Sequence, residues 1–124
     1  MRLYHGTSAN LAREILKLGL LPSRKRGYLY ATPSKTVAML YAYARGSQRG
    51  SSGLIVEFEA DGEEWSVDET FPMALKTRGR VKPERITGML TFNSEDLFKK
   101  LIGDDSEVRE MRRAIRKWLE TDGC

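Results

Sequence analysis

The first third of the chain alternates between strand-like and helix-like segments, and this order limits the fold more than any other feature of the sequence. Residues 2–6 and 28–32 have the patterns of short strands. A helical segment follows each of them, the second running from Lys35 to about Ala44. Further strands are predicted in the middle of the chain, at 54–60, 65–67, 73–77 and 86–92. A β-α-β-α order followed by several strands predicts an α+β domain with a mixed or antiparallel sheet.

Capping residues mark where the first two helices begin and end. The first helix is expected to begin at Ser8 or Asn10 and to end at Gly19, because glycine suits the backbone conformation that follows a last helical turn. Ser34 is predicted to cap the second helix. Residues 45–53 are rich in glycine and serine and are predicted to form a loop. Three apolar residues fall on one face of the first helix: Leu11, Ile15 and Leu18.

The end of the chain has the pattern of two further helices. The first is predicted to begin at Ser94, and the second at Asp104 or Ser106. The second carries an apolar stripe among mostly charged positions, which is typical of a surface helix that packs by one face. Since 124 residues suit one domain, we expect a single domain, 1–124, with residues 94–124 as a C-terminal helical extension.

Composition predicts the cellular location of the protein. No apolar run approaches 18 residues, so we expect no membrane-spanning helix and no membrane partner. The residues after Met1 are too few and too polar for a signal peptide, and the single cysteine, Cys124, cannot form a disulfide within the chain. We therefore expect a cytoplasmic location. With one histidine and one distant cysteine, we also expect no metal site.

Positive charge is concentrated in the first 50 residues. They hold nine Lys or Arg residues and one acidic residue, a net charge of +8, whereas the whole chain has a net charge of +4. Such a basic segment indicates either a solvated surface or a site for a phosphate-bearing ligand or nucleic acid.

The one histidine and all five tyrosines lie in this basic segment. His5 is followed at once by Gly6 and Thr7. Histidines and tyrosines are usually hydrogen-bonded or packed at the rim of a core. Gathered together, they are also suited to build a pocket for a flat, polar ligand that carries a ribose. The tyrosines are Tyr4, Tyr28, Tyr30, Tyr41 and Tyr43.

Two motifs in this segment resemble those of the ADP-ribosyltransferase superfamily. Tyr4-His5-Gly6-Thr7 is similar to the first motif of its diphtheria-toxin-like branch, and Tyr30-Ala31-Thr32 with Tyr41 is similar to the second. The resemblance covers residues 3–44 well and the later strands more weakly. It implies a split mixed or antiparallel β-sheet flanked by helices, with NAD as the co-substrate.

The resemblance also implies roles for individual residues. His5 would hydrogen-bond a ribose hydroxyl, and the backbone of Gly6 would hold the carboxamide of the nicotinamide. The rings of Tyr30 and Tyr41 would stack on the nicotinamide ring. The basic residues at 24–26 suit the pyrophosphate, a role that rests on charge alone. The implied NAD-binding residues are His5, Gly6, Thr7, Arg26, Tyr30, Ala31 and Tyr41.

Most active members of the superfamily also use a glutamate near the start of a late strand. The corresponding position falls near residues 71–73, which contain no acid. Asp68 and Glu69 lie just upstream, and Glu69 is the candidate, with a solvated loop acid as the alternative interpretation. The implied catalytic residues are therefore His5, Tyr30 and Glu69.

The function implied is transfer of ADP-ribose from NAD to a protein or nucleic-acid acceptor, with release of nicotinamide. Two alternatives share the fold. The RNA 2′-phosphotransferases also have a Leu-x-His-Gly-Thr start, a late segment similar to residues 81–86 and no catalytic glutamate. They usually carry a second histidine where this chain has Tyr28 or Tyr30. The other alternative is an inactive module that binds NAD or ADP-ribose.

Overall fold

The structure, a computed structural model, describes residues 1–70 and 73–92. The helices predicted within 94–124 lie outside the described residues. The described part contains six strands and two α-helices, joined by loops and short 3-10 turns. In chain order these are β1 (Arg2–Ser8), α1 (Ala12–Leu18), β2 (Leu29–Ala31), α2 (Lys35–Gln48), β3 (Gly53–Glu59), β4 (Ser66–Val67), β5 (Leu75–Thr77) and β6 (Ile86–Phe92).

The strands form two three-stranded sheets, and every strand pair within them is antiparallel. The larger sheet has the order β1-β3-β6, and the smaller has the order β2-β5-β4. The predicted α+β class is therefore confirmed, and of the mixed and antiparallel alternatives the described residues show antiparallel sheets. The predicted last strand, 86–92, is found at those residues.

The two sheets meet edge to edge where β1 passes the end of β2. The N–H of Tyr4 donates to the Thr32 carbonyl oxygen at 2.8 Å, and the N–H of Thr32 donates to the Tyr4 carbonyl oxygen at 2.9 Å. Within the described part of the chain, this is the single backbone bridge between β1 and the end of β2. Past the bridge, residues 5–7 pair with β3 and residues 29–31 pair with β5, but the two stretches do not pair with each other, which leaves a seam between the sheets.

Helix α2 begins where the sequence predicts and ends later than predicted. The hydroxyl of Ser34 accepts a hydrogen bond from the Val37 N–H at 3.3 Å, which confirms the predicted cap. The helix continues through residues 45–48, so the predicted loop is wrong there. The glycine that suggested a loop serves close packing instead, because a β-carbon at Gly46 would lie 2.7 Å from the Ser51 carbonyl oxygen. The chain turns back over this glycine to enter β3.

Helix α1 starts differently from the prediction. Neither Ser8 nor Asn10 caps it with a side chain, and a 3-10 turn over Ala9–Leu11 leads into the helix instead. The buried hydroxyl of Ser8 has no hydrogen-bond partner among the described residues. Gly19 ends the helix with φ +79°, as predicted. The predicted apolar face is buried in part, since Leu18 remains 47% exposed.

Strand β3 is buried on both faces and lies between two apolar clusters. On one face Leu54, Val56 and Phe58 join the cluster that holds residues of β1, α1 and β2. On the other face Ile55 packs in the cluster formed mainly by α2. Helix α2 therefore covers the second face of the strand at Ile55. No helix among the described residues is long and apolar enough to cross a membrane.

Candidate functional site

A cavity of about 360 Å³ lies in the seam between the two sheets. Residues of β1 and β2 line it, together with side chains from the loop after α1 and from the second half of α2. Arg26 and Glu69 are not among its described lining residues. Six of the seven residues predicted to bind NAD do line it: His5, Gly6, Thr7, Tyr30, Ala31 and Tyr41.

The imidazole of His5 spans the seam. Its Nδ1 lies 2.6 Å from the carbonyl oxygen of Tyr30. Because a carbonyl oxygen can only accept, Nδ1 carries the hydrogen. Burial lowers the pKa of His5, the bond to Tyr30 opposes this, and the positive charge of Arg45 lowers it further. The neutral ring therefore keeps a lone pair on Nε2, which can accept a hydrogen bond from a ligand hydroxyl.

Gly6 lies where β1 and α2 approach most closely. A β-carbon at this position would lie 2.3 Å from the Ala38 carbonyl oxygen and 2.6 Å from the Ala42 nitrogen. The resemblance implies that the backbone of Gly6 lies close to a ligand. In the structure, Gly6 makes its close approach to α2. The backbone of Gly6 still faces the seam, because Tyr4 directs its N–H and C=O toward Thr32 and the strand alternates. Its polar groups accordingly point away from β3.

Tyr41 is held neutral beside the cavity. Burial, followed by the nearby negative charge of Asp68, raises the pKa of its phenol to about 12, while the charge of Arg26 acts in the opposite direction. A phenol with this pKa keeps its proton at neutral pH and offers both a donor and an aromatic face. Tyr30 also contributes to the shift, which places the two hydroxyls within electrostatic range of each other.

The ring of Tyr30 connects the cavity with the basic loop. The guanidinium carbon of Arg26 lies 5.7 Å from the centroid of this ring, a cation–π distance. The ring of Tyr28 lies 6.3 Å away and is tilted by 56°. Arg26 therefore lies next to a ring that lines the cavity, without being a lining residue itself.

The described lining residues include four basic side chains and no acidic one. Two of them, Arg24 and Lys25, belong to the basic loop that the sequence analysis singled out. The other two, Arg45 and Arg49, lie in the segment 45–53 for which the sequence predicts a loop, so that prediction overlooks them. Tyr41, Arg45 and Arg49 follow one another at intervals of four residues, with Arg49 directly after the last residue of α2, and this helical spacing is the signal that could have found them. The basic residues are Arg24, Lys25, Arg45 and Arg49.

The two candidate acids have opposite environments. Glu69 is exposed, whereas Asp68 is only 5% exposed. The Oδ1 of Asp68 accepts a hydrogen bond from the Thr70 N–H at 2.7 Å, and its own N–H donates to the Ala74 carbonyl oxygen at 2.9 Å. Asp68 is the acid whose charge reaches Tyr41. The sequence offers no reason to prefer Asp68 to Glu69, because both acids precede the same loop.

The cavity thus combines aromatic faces, hydrogen-bonding groups and a cationic rim, a combination that suits a planar, anionic ligand. Within residues 1–70 and 73–92, no three His, Cys, Asp or Glu side chains come together in a group that could hold a metal ion. No protein-family model matches the chain, and no curated protein compared with it matches either.

Proposed function

We propose that the protein binds NAD in the seam cavity and transfers ADP-ribose to a protein or nucleic-acid acceptor, releasing nicotinamide. The observation that carries this proposal is the meeting of a neutral His5, two tyrosine rings and a cationic rim in one cavity. Its volume of about 360 Å³ lies within the usual range for ligand pockets. It suits the nicotinamide ribose, with the phosphates over the rim.

The proposed chemistry is displacement at the anomeric carbon of the nicotinamide ribose. The bond from C1′ to the nicotinamide nitrogen breaks, and its electron pair leaves on the ring, which becomes neutral nicotinamide. An oxygen or nitrogen of the acceptor forms the new bond to C1′ and loses a proton. The transition state resembles an oxocarbenium ion, as in glycoside cleavage, so holding the ribose in a reactive pose is the main task of the protein.

The residues around the cavity suit that task. The Nε2 of His5 would accept a hydrogen bond from a ribose hydroxyl, because its other nitrogen is committed to Tyr30. The rings of Tyr30 and Tyr41 would stack on the nicotinamide, and the backbone of Gly6 would meet its carboxamide. The cations at the rim would neutralise the pyrophosphate.

Two acids are candidates for a carboxylate beside the ribose. Glu69 remains the candidate from the sequence, and Asp68 has the better position because it is buried near Tyr41. Two further functions are favoured by the absence of acids among the described lining residues. One is NAD-dependent removal of a 2′-phosphate from RNA, and the other is binding of NAD or ADP-ribose without turnover. We place each of these in the cytoplasm because the chain has a single cysteine.

Thermal unfolding with and without NAD, together with an assay of nicotinamide release, tests the proposal. NAD at a hundred times its dissociation constant should stabilise the fold by about 2.7 kcal/mol. Turnover that is lost in Tyr30→Ala supports the transferase. A thermal shift without nicotinamide release supports the binding module, and loss of phosphate from a 2′-phosphorylated oligonucleotide supports the RNA reaction. No shift and no turnover would overturn all three.

A further inference from the structure

We propose that Tyr28 and the cations around it form a docking surface for single-stranded nucleic acid, which would make a nucleic-acid strand the acceptor of the transfer. The choice of acceptor rests on the proposed function, whereas the binding itself does not. The surface is a second cavity of about 660 Å³, lined by residues of β4 and β5, by the segments next to them and by Tyr28, which directly precedes β2. Tyr28 lines both this cavity and the one in the seam.

The ring of Tyr28 is fixed by two basic side chains of the smaller sheet. Nε and Nη2 of Arg78 donate to the Tyr28 hydroxyl at 3.3 Å and 3.0 Å. The Nζ of Lys76 lies 4.8 Å from the ring centroid, and the guanidinium carbon of Arg78 lies 5.1 Å from it. An aromatic side chain held in this way loses little freedom when a ligand binds to it.

Positive charge continues from this surface to the seam. Lys76, Arg78 and Arg80 line the second cavity, and Arg24 and Lys25 line the first, with Tyr28 between the two groups. A polyanion that follows these cations would therefore pass the mouth of the seam cavity. One acid, Glu64, also lines the second cavity, so the surface is not uniformly basic.

A surface on which cations alternate with aromatic rings favours a nucleic-acid strand over other polyanions. Phosphates pair with the basic side chains, and unpaired bases stack on aromatic rings, which is the arrangement of single-strand binding surfaces. The rings of Tyr28 and Tyr30 lie 6.3 Å apart, so two aromatic groups occur within the same stretch. An acidic peptide would pair with the charges and make no use of stacking, and bases stacked within a duplex could not reach the rings.

Fluorescence anisotropy with a labelled single strand of about 12 nucleotides tests the surface directly. Tyr28→Ala should weaken binding by about tenfold or more, since stacking on one ring contributes roughly that factor. Arg78→Gln and Arg80→Gln, both at exposed positions, should each weaken binding and reduce the slope of log K against log salt by about 0.7. Tyr43→Ala and Arg13→Ala are the controls, because neither lines either cavity, and they should bind as the wild type does.

Three results would overturn the inference: equal binding by wild type and Arg78→Gln, tighter binding of a duplex than of a single strand, or binding of polyglutamate in place of the oligonucleotide. Two measurements on Arg80→Gln separate the docking surface from the proposed reaction. They are nicotinamide release and the NAD-induced thermal shift. Oligonucleotide binding that depends on Tyr28 but without any response to NAD supports the docking surface and contradicts the proposed reaction. A response to NAD without oligonucleotide binding does the reverse.

Discussion

His5 Nδ1 donates a hydrogen bond to the carbonyl oxygen of Tyr30, 25 residues away in sequence, at 2.6 Å. This bond occupies the place where the next backbone pair between β1 and β2 would form if the strands stayed together. The side chain thus links the two sheets and at the same time selects the tautomer that leaves Nε2 free to accept. The structural role and the proposed ligand-binding role fall on different nitrogens of one ring.

Replacing His5 with asparagine should separate these two roles. The side-chain amide of His5→Asn can keep a donor near the position of Nδ1, so we expect a melting temperature close to that of the wild type. It has no counterpart of Nε2, so the NAD-induced thermal shift should largely disappear. His5→Ala is the matched comparison and should lose both stability and the shift. A full shift in His5→Asn would contradict the assignment of Nε2 to the ligand.

The lowered pKa of His5 predicts that the free energy of unfolding decreases in mild acid. The unfolded chain binds a proton at this histidine more readily than the folded protein, so the stability that the neutral ring supports is present above pH 6.5, the ordinary histidine pKa. It should be lost progressively as the pH falls below that value. Denaturant unfolding from pH 7.5 to pH 5 should show a steeper loss for the wild type than for His5→Asn, which cannot titrate. Equal slopes would show that burial does not hold the ring neutral.

Gly6→Ala should destabilise the fold through the contact with α2. Its β-carbon would meet backbone atoms of Ala38 and Ala42, which cannot move away as a flexible side chain would. Overpacking of this kind costs about 3 kcal/mol. Gly88→Ala is the control in β6, where the nearest atom to a β-carbon lies 3.7 Å away. Urea unfolding should show a large loss for the first variant and little change for the second.

The high pKa of Tyr41 predicts a loss of stability in alkaline solution. The neutral phenol is favoured in the folded protein, so this contribution is complete below pH 10 and falls as the pH rises toward 12. The shift corresponds to about 3 kcal/mol of unfolding free energy between these limits. Tyr41→Phe should remove this loss of stability at alkaline pH. Unfolding curves of the wild type and of the variant, compared at each pH, measure the difference.

The same phenol reports which acid lies near the site. Asp68→Asn removes the charge that raises the pKa of Tyr41, so the alkaline titration followed by ultraviolet absorbance should shift to lower pH. Glu69→Gln is the matched variant on an exposed neighbour and should leave the titration unchanged. If nicotinamide is released, the larger loss of turnover is expected in Asp68→Asn. The opposite order would return the catalytic role to Glu69.

Two serines beside helices should respond in opposite ways to alanine. The hydroxyl of Ser34 accepts the Val37 N–H, so Ser34→Ala should cost about 1 kcal/mol. The hydroxyl of Ser8 is buried without a partner among the described residues, so Ser8→Ala should leave stability unchanged or raise it by about 1 kcal/mol. Chemical denaturation of the two variants under the same conditions measures both. A loss of stability in Ser8→Ala would mean that its hydroxyl has a partner after all.

Features that depend on local signals were predictable from the sequence. The cap at Ser34, the helix end at Gly19 and the strand at 86–92 each follow from residues within a few positions of one another. His5, Tyr30 and Tyr41, which the sequence motifs group together, line one cavity.

Features that depend on contacts between distant segments were not predictable in the same way. The glycine-rich end of α2 is helical because Gly46 accommodates the returning chain. The helix propensities of the individual residues do not include this contact and could not predict it. Asp68 and Glu69 are adjacent and chemically similar, and folding buries one of them and exposes the other. Arg45 reaches the cavity from within α2 because the helix is longer than its composition suggested, and Arg49 reaches it from the position directly after the helix.

The position of the cavity in a seam has a consequence for how this chain can change over generations. The two apolar clusters that hold the fold together lie on either side of β3, and neither His5 nor Tyr30 belongs to them. Substitutions that keep the bond between the side chain at position 5 and the Tyr30 carbonyl oxygen can therefore change the lining of the cavity while leaving both cores intact. The scaffold can exchange the chemistry of its seam without rebuilding the clusters that keep the sheets folded.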